Sequence, residues 1–322
     1  MSDPPLRDRL AARGYAVVRG CDDLREAGAS PWSFAERLLG ARPVMVEQQP
    51  IRAVPGGRSF ASTQGFTPLH SDSQLHLGAP PDAQVMVCHR HAAAGGETLL
   101  LDTWSLLEEL QRAEPALHRA LFEVPRRIPF VFGDVYGPTV SLRGGATCFT
   151  HSPIAPAPDA LSQALAARLR AHPTVELAVH TGEVLVVDNR RMLHGRKGFD
   201  DTARWFTRLL VWLPAPLGAH PGCTAMARAA AARAPSRDDA PPSVRSARYG
   251  VLEAPAAGVQ ARLDVVLRCS GAWRRACWRS AAGCPGGAVP VARRGPAGRR
   301  RRWPTRAPTM SRPDCEARLG RR

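Results

Sequence analysis

The 322-residue chain has no long apolar run. Stretches such as Val184–Val187 and Leu209–Leu213 fall far short of the ~18 apolar residues that a membrane span needs. Met1–Leu10 intersperses Asp, Pro and Arg without an apolar core, so no secretory signal is expected there. The 8 cysteines include no CxxC pair; Cys21, Cys88 and Cys148 stand in the body and the other five lie beyond residue 220. That spacing suits neither a zinc ribbon nor a dense disulfide framework, and it points to a reducing, cytoplasmic setting. The body also lacks the basic excess that the whole chain shows. Residues 1–220 carry 23 basic and 22 acidic side chains, a net of +1, whereas residues 221–322 carry 21 Arg and 6 acids, a net of +15. The total of +16 is therefore a property of the tail, and nucleic acid is an expected partner only through that tail.

Hydrophobic patterning gives a mixed α+β, mainly β body. Leu6–Arg13 reads as a short helix ended by Gly14, and Tyr15–Arg19 as a strand. Ser30 and Pro31 open a helix that Gly40 stops. Val44–Val54 is extended, Val85–His89 and Thr98–Leu101 flank a turn at Ala92–Gly96, and Thr103–Leu110 and Pro158–Arg170 are helical. Val175–Val179, Glu183–Val187 and Trp205–Trp212 read as strands. Short strands joined by Gly/Pro turns, with helices early and mid-chain, predict a sandwich or jelly roll with helical insertions over residues 1–215. Residues 216–322 are rich in Ala, Arg, Gly and Pro, with four consecutive Arg at 299–302. Such a composition buries too little apolar surface to offset chain entropy, so a disordered basic tail is expected. The alternatives are an Arg-rich nucleic-acid-binding arm and a stretch translated out of frame, the latter leaving an inactive remnant.

The chemistry concentrates in three segments. In Thr67–Asp72, His70 and Asp72 form a His-x-Asp pair; on a strand, alternate side chains share one face and can reach one metal ion. In Glu183–Arg196, a buried-type strand runs into a polar turn carrying His194. Two His and one carboxylate make the facial triad of a non-haem Fe(II) oxygenase. His70 and His194 are 124 residues apart, so only the closed fold could bring them together. In the third segment, Arg204 and Arg208 are four apart and face one side of a strand. Two inward guanidinium groups there need an anion.

These segments, in this order, resemble the taurine/α-ketoglutarate dioxygenase family, within it the clavaminate synthase-like amino-acid hydroxylases. His70-Ser71-Asp72 resembles the proximal ligand motif, Asp188–Arg196 the distal-His segment, Arg204–Arg208 the Arg strand, and Gly95-Gly96-Glu97-Thr98 the Gly-Gly-x-Thr motif. The resemblance runs from about Gly14 to Leu213. It implies a double-stranded β-helix, with Fe(II) on His70, Asp72 and His194, and 2-oxoglutarate held by Thr98 and Arg204. Arg208 would assist there or meet an anionic group of the substrate. Gln64, Ser73, His76, Asn189 and Arg190 are candidates for the substrate side. The implied reaction consumes O2 and 2-oxoglutarate and hydroxylates a small polar molecule, an amino acid or a derivative, free or tethered to a carrier protein. A sulfonate or other organic acid is the alternative substrate. Because Asp72 keeps a carboxylate where related halogenases carry a small residue, hydroxylation or desaturation is expected over halogenation. The loop from His194 to Arg204 is shorter than in the amino-acid hydroxylases, and the tail has no counterpart in the family.

Overall fold

A computed structural model describes residues 4–21, 24–57, 59–73, 79–130, 133–143, 145–153 and 159–233. All belong to one compact unit, Met1–Ser270. In chain order the elements are α1 (Leu6–Arg13), β1 (Tyr15–Val18), α2 (Glu26–Ala29), α3 (Pro31–Leu39), β2 (Met45–Arg52), β3 (Thr67–His70), β4 (Ala83–Arg90) and β5 (Thr98–Asp102). There follow α4 (Thr103–Ala113), α5 (Pro115–Glu123), β6 (Arg126–Phe130), β7 (Gly133–Gly137), β8 (Val140–Arg143), β9 (Ala146–Phe149) and α6 (Ala160–Ala171). The last are β10 (Val175–Leu177), β11 (Val184–Asp188), β12 (Met192–Arg196), β13 (Trp205–Trp212) and α7 (Pro221–Arg233).

Local chemistry sets several boundaries. Gly14 and Gly40 end α1 and α3 at φ 74° and 64°, the left-handed region that a side chain disfavours. Pro31 and Pro115 open their helices, where a missing N–H costs nothing. Asp102 caps α4 by accepting from Trp104 N, and Asp159 caps α6 by accepting from Ser162 N. Pro50 sits inside β2, a position tolerated because β2 is an edge strand.

Two antiparallel sheets pack face to face. One has the order β1-β11-β4-β13-β2, the other β10-β5-β12-β3. Strand alternation divides their side chains into three layers. Val85, Val87, Val184, Val186, Leu209 and Val211 turn outward against Leu10, Phe34 and Leu39 of α1 and α3. Leu185, Val187, Phe206, Ile51 and Cys88 of the first sheet meet Leu100 and Met192 of the second in the middle. Leu101 and Leu193 face out, onto Leu106, Leu110, Phe122 and Leu165 of the helices. Each fully buried Leu or Val contributes roughly 1.5–3 kcal/mol, so the two outer layers pin both sheets around a middle layer that is apolar except where the site residues enter it.

Three expectations change. Met192–Arg196 is not a polar turn: Asn189–Arg191 make the turn, and β12 is a fully buried central strand between β5 and β3. The hairpins β6–β7 and β8–β9 are additional. Chain order also extends past residue 215, because α7 buries Cys223, Ala227 and Ala230 in the layer that holds Leu110, Phe122 and Phe149. A helix face of small residues can pack closely without showing a hydrophobic stripe in the sequence. Residues 234–322 lie outside the described residues, as does His76. Among the described residues no helix is long and apolar enough to cross a membrane.

Candidate metal centre and co-substrate pocket

The site forms where β3 and β12 pair. His70 and His194 are register partners, so both side chains leave the ladder on the inter-sheet face. Their rings lie 4.4 Å apart, centroid to centroid. Gly195 makes this approach possible, since a Cβ there would stand 2.6 Å from Thr67 O. Asp72 lies beyond the end of β3 rather than on it. Its place is set by Asn189, whose Oδ1 accepts from Asp72 N (2.9 Å) and whose Nδ2 donates to Asp72 O (2.8 Å) and Pro81 O (3.0 Å). His70, Asp72 and His194 thereby offer three ligand atoms, all within 4.8 Å of one another, and all three residues are buried.

The donor set fits a divalent metal. His70 Nδ1 donates to Pro68 O at 2.9 Å, which leaves Nε2 as the free ligand atom. Burial lowers the His70 imidazole, and burial together with His70 brings His194 down to about 3. Burial opposes ionisation of Asp72, but Arg208, His194 and His70 outweigh it and hold the carboxyl at about 2. Two neutral imidazoles and one carboxylate are the protonation states that metal binding requires. Gln84 Nε2, from β4, donates to Asp72 Oδ2 (2.7 Å) and to His194 Nε2 (2.9 Å). The Gln84 amide nitrogen thus bridges two of the three residues.

The two arginines of the third segment part company. Arg208, on β13, donates from NH1 to Asp72 Oδ1 and Oδ2 at 3.0 and 3.1 Å, and from NH2 to Gln49. Arg204, just before β13, is 3% exposed and stacks on Phe206 and Phe199, its guanidinium carbon 4.1 and 5.1 Å from the ring centres. No acid lies within ion-pair distance of Arg204 among the described residues. Burial and the neighbouring Arg196 cation lower it to about 10. A buried cation without a partner calls for an anionic ligand. Arg204 lines a cavity of about 200 Å³ together with Phe206, Gly96, Glu97, His91 and His180. Gly96 is needed there: its φ is 77°, and a Cβ would stand 3.1 Å from Arg204 Nε. Thr98 sits on the same face of β5 as Leu100, opposite Arg196 and two register pairs along from the His194–Leu100 pair.

The remaining candidates are engaged elsewhere. Arg190 forms a buried ion pair with Asp82 (2.6 Å) and donates to Arg143 O. Gln64 donates to Asp200 O (2.8 Å). Ser73 Oγ pairs with Ser71 Oγ (2.9 Å) beneath the ligand strand. Asn189 is bonded to the main chain of Asp72 and Pro81. Gln84 and Arg196 were not picked out by sequence reasoning. Gln84 had a signal, a polar residue leading into the apolar run Val85–Cys88, and Arg196 follows His194 at the spacing that puts both on one face of a strand. Arg196 donates to Thr63 O (2.8 Å) and Gly65 O (2.7 Å), tying the loop before β3 to the site.

Residues 3–210 match the model of the family described as "Taurine catabolism dioxygenase TauD, TfdA family". The chain belongs to the TauD/TfdA family. It is a family of Fe(II)- and 2-oxoglutarate-dependent oxygenases. A curated relative, dioxygenase str8 of Strobilurus tenacellus, is 28% identical over 169 residues, covering 47% of this chain and 39% of that protein. The match thus spans about two fifths of the curated relative. Among solved structures, asparagine oxygenase in complex with Fe(II), 2S,3S-3-hydroxyasparagine and succinate is 18% identical, with a TM-score of 0.51 over 65% of this chain and 77% of that one. The likeness is one of fold. The non-haem iron oxygenase OrfP with Fe and α-ketoglutaric acid is 20% identical, with a TM-score of 0.45 over 64% of this chain and 78% of that one.

Proposed function

We propose that this TauD/TfdA-family protein is an Fe(II)- and 2-oxoglutarate-dependent oxygenase that hydroxylates a small polar substrate, an amino acid or amino-acid derivative. Tethering of that substrate to a carrier protein is part of the same reading. The observation that carries it is the convergence of His70, Asp72 and His194 within 4.8 Å at the buried junction of β3 and β12. In this reading the two facing sheets form a double-stranded β-helix, and those three side chains hold the iron. Arg204 and Thr98 take the far carboxylate of 2-oxoglutarate, for which the unpaired Arg204 guanidinium is suited. Bound there, iron and 2-oxoglutarate supply the activation of O2 that inserts oxygen into a C–H bond. The protein's own contribution is positioning: Asn189 fixes the Asp72 backbone, Pro68 fixes the His70 tautomer, and the apolar inter-sheet layer keeps water from the reacting end. The hydroxyasparagine bound to asparagine oxygenase favours the amino-acid class. A cytoplasmic setting is supported by the four described cysteines, all free.

Anaerobic addition of Fe(II) and 2-oxoglutarate to the purified protein tests this. The expected result is the weak visible metal-to-ligand charge-transfer band, lost in His70→Ala and in Arg204→Ala, with succinate released when an amino-acid panel and O2 are supplied. No band in the wild type would overturn the proposal.

A further inference from the structure

A second cation stands near the ligand strand, and Asp159, the acid whose charge reaches it, makes no direct ion pair with it. Arg126 opens β6, and hydroxyls hold its guanidinium: Nε donates to Thr139 Oγ1 (3.1 Å) and NH1 to Ser162 Oγ (2.6 Å). Among the described residues no carboxylate lies within ion-pair distance of it. Asp159, whose charge it feels, is engaged by Ser162 N and Oγ at 2.7 and 2.8 Å. From Arg126 a hydrogen-bond path leads to the centre. Thr139 O accepts from Thr150 N (2.7 Å), and the next residue, His151, is bonded in both directions to Ser71. Ser71 N donates to His151 O, and His151 N to Ser71 Oγ, each at 3.0 Å. Ser71 separates the ligands His70 and Asp72, so the path ends on the metal-binding tripeptide. His151 is half-buried, and its ring nitrogens have no hydrogen-bond partner among the described residues. Burial, with Arg126 and His70 close by, keeps the imidazole neutral, down to about 3. A neutral ring has one N–H to donate.

We infer that Arg126 and His151 bind a carboxylate of the substrate, the one that an acidic side chain adds to the α-carboxylate common to every amino acid, distinct from the anion suited to Arg204. A guanidinium offers a planar fork matched to a carboxylate, and the imidazole N–H adds a directional donor. The hydroxyls of Thr139 and Ser162 orient the fork without neutralising it. This places the substrate among acidic amino acids and their derivatives rather than neutral or basic ones. The inference rests on the oxygenase reading above and narrows its substrate class.

The test uses the full chain loaded with Fe(II) and 2-oxoglutarate. Matched pairs, L-aspartate with L-asparagine and L-glutamate with L-glutamine, are supplied with O2, and succinate is measured. At least one acid should exceed its amide by tenfold or more in kcat/KM. Arg126→Gln and His151→Phe should each bring that ratio towards one through KM, while anaerobic samples still form the charge-transfer band with 2-oxoglutarate. Arg126→Lys keeps the charge without the fork; it should unfold thermally like the wild type and retain an intermediate ratio. A wild type in which no acid outperforms its amide overturns the inference, as does an acid preference that survives both Arg126→Gln and His151→Phe. A wild type that forms no band with 2-oxoglutarate overturns the oxygenase reading itself, which separates the two failures.

Discussion

Asn189 and Asp72 are joined by two hydrogen bonds of opposite direction, the amide oxygen accepting from the Asp72 N–H and the amide nitrogen donating to the Asp72 carbonyl. The side chain thus imitates a β-ladder partner for a residue that has left its strand. One acidic ligand, from a loop, is held by the turn that launches the strand of the distal His194.

Removal of this clamp should loosen the metal. Asn189→Ala is expected to weaken Fe(II) or Co(II) binding by roughly 10–100-fold, the usual effect of losing a group that orients a ligand. Anaerobic titration with calorimetric or optical detection checks it. Asn189→Asp keeps an acceptor for Asp72 N but loses the donor, and should fall between Ala and wild type.

Arg204→Ala should raise the dissociation constant for 2-oxoglutarate by about 30-fold or more, because truncating one partner of a buried charge pair costs at least ~2 kcal/mol. Arg204→Lys should rescue poorly, since an ammonium group can neither fork nor stack between Phe199 and Phe206 as a planar cation does. The charge-transfer band titrated with 2-oxoglutarate gives both numbers.

Gly96→Ala should resemble a partial loss of Arg204. The substitution meets a φ of 77° and puts a methyl 3.1 Å from Arg204 Nε, so about 1 kcal/mol of backbone strain is added to a displaced guanidinium. A drop of several degrees in Tm together with weaker 2-oxoglutarate binding is expected. A lower Tm with unchanged binding would show that the strain stays in the turn.

Stability should carry a pH signature from Asp188. Burial raises this carboxyl from its ordinary 3.8 to about 7, against the pull of the Arg190 and Arg191 N–H groups. A folded-state value above the unfolded one means stability that is fully present below about 4 and lost as pH rises towards 7. Asp188→Asn keeps an acceptor oxygen for those N–H groups and removes the charge. Its Tm relative to wild type should climb between pH 4 and 7 and level off above. A difference that does not vary with pH would count against the assignment.

Much of this architecture is legible in the residues themselves. The edges of β13 coincide with the strand expected over Trp205–Trp212, and α3 with the Ser-Pro opening and glycine stop around Pro31–Leu39. His70, Asp72 and His194 were legible too, because two imidazoles and a carboxylate in that order are scarce by accident. What was hidden has physical reasons. β12 carries His194 and Arg196 through a buried strand, so its polarity masked its periodicity. Asn189 reads as a substrate group because its partner is a backbone 117 residues away. His151 and Arg126 owe their interest to what they do not pair with, a property visible only once the chain has closed. α7 packs on alanines, which bury area without announcing a face.

Gly195 has one last consequence. The main chains of β3 and β12 approach so closely at this point that no side chain fits between them, and the two imidazoles inherit their spacing from that contact. The main-chain positions from which His70 and His194 would hold an ion are therefore spaced by the folded backbone itself, ahead of any cation.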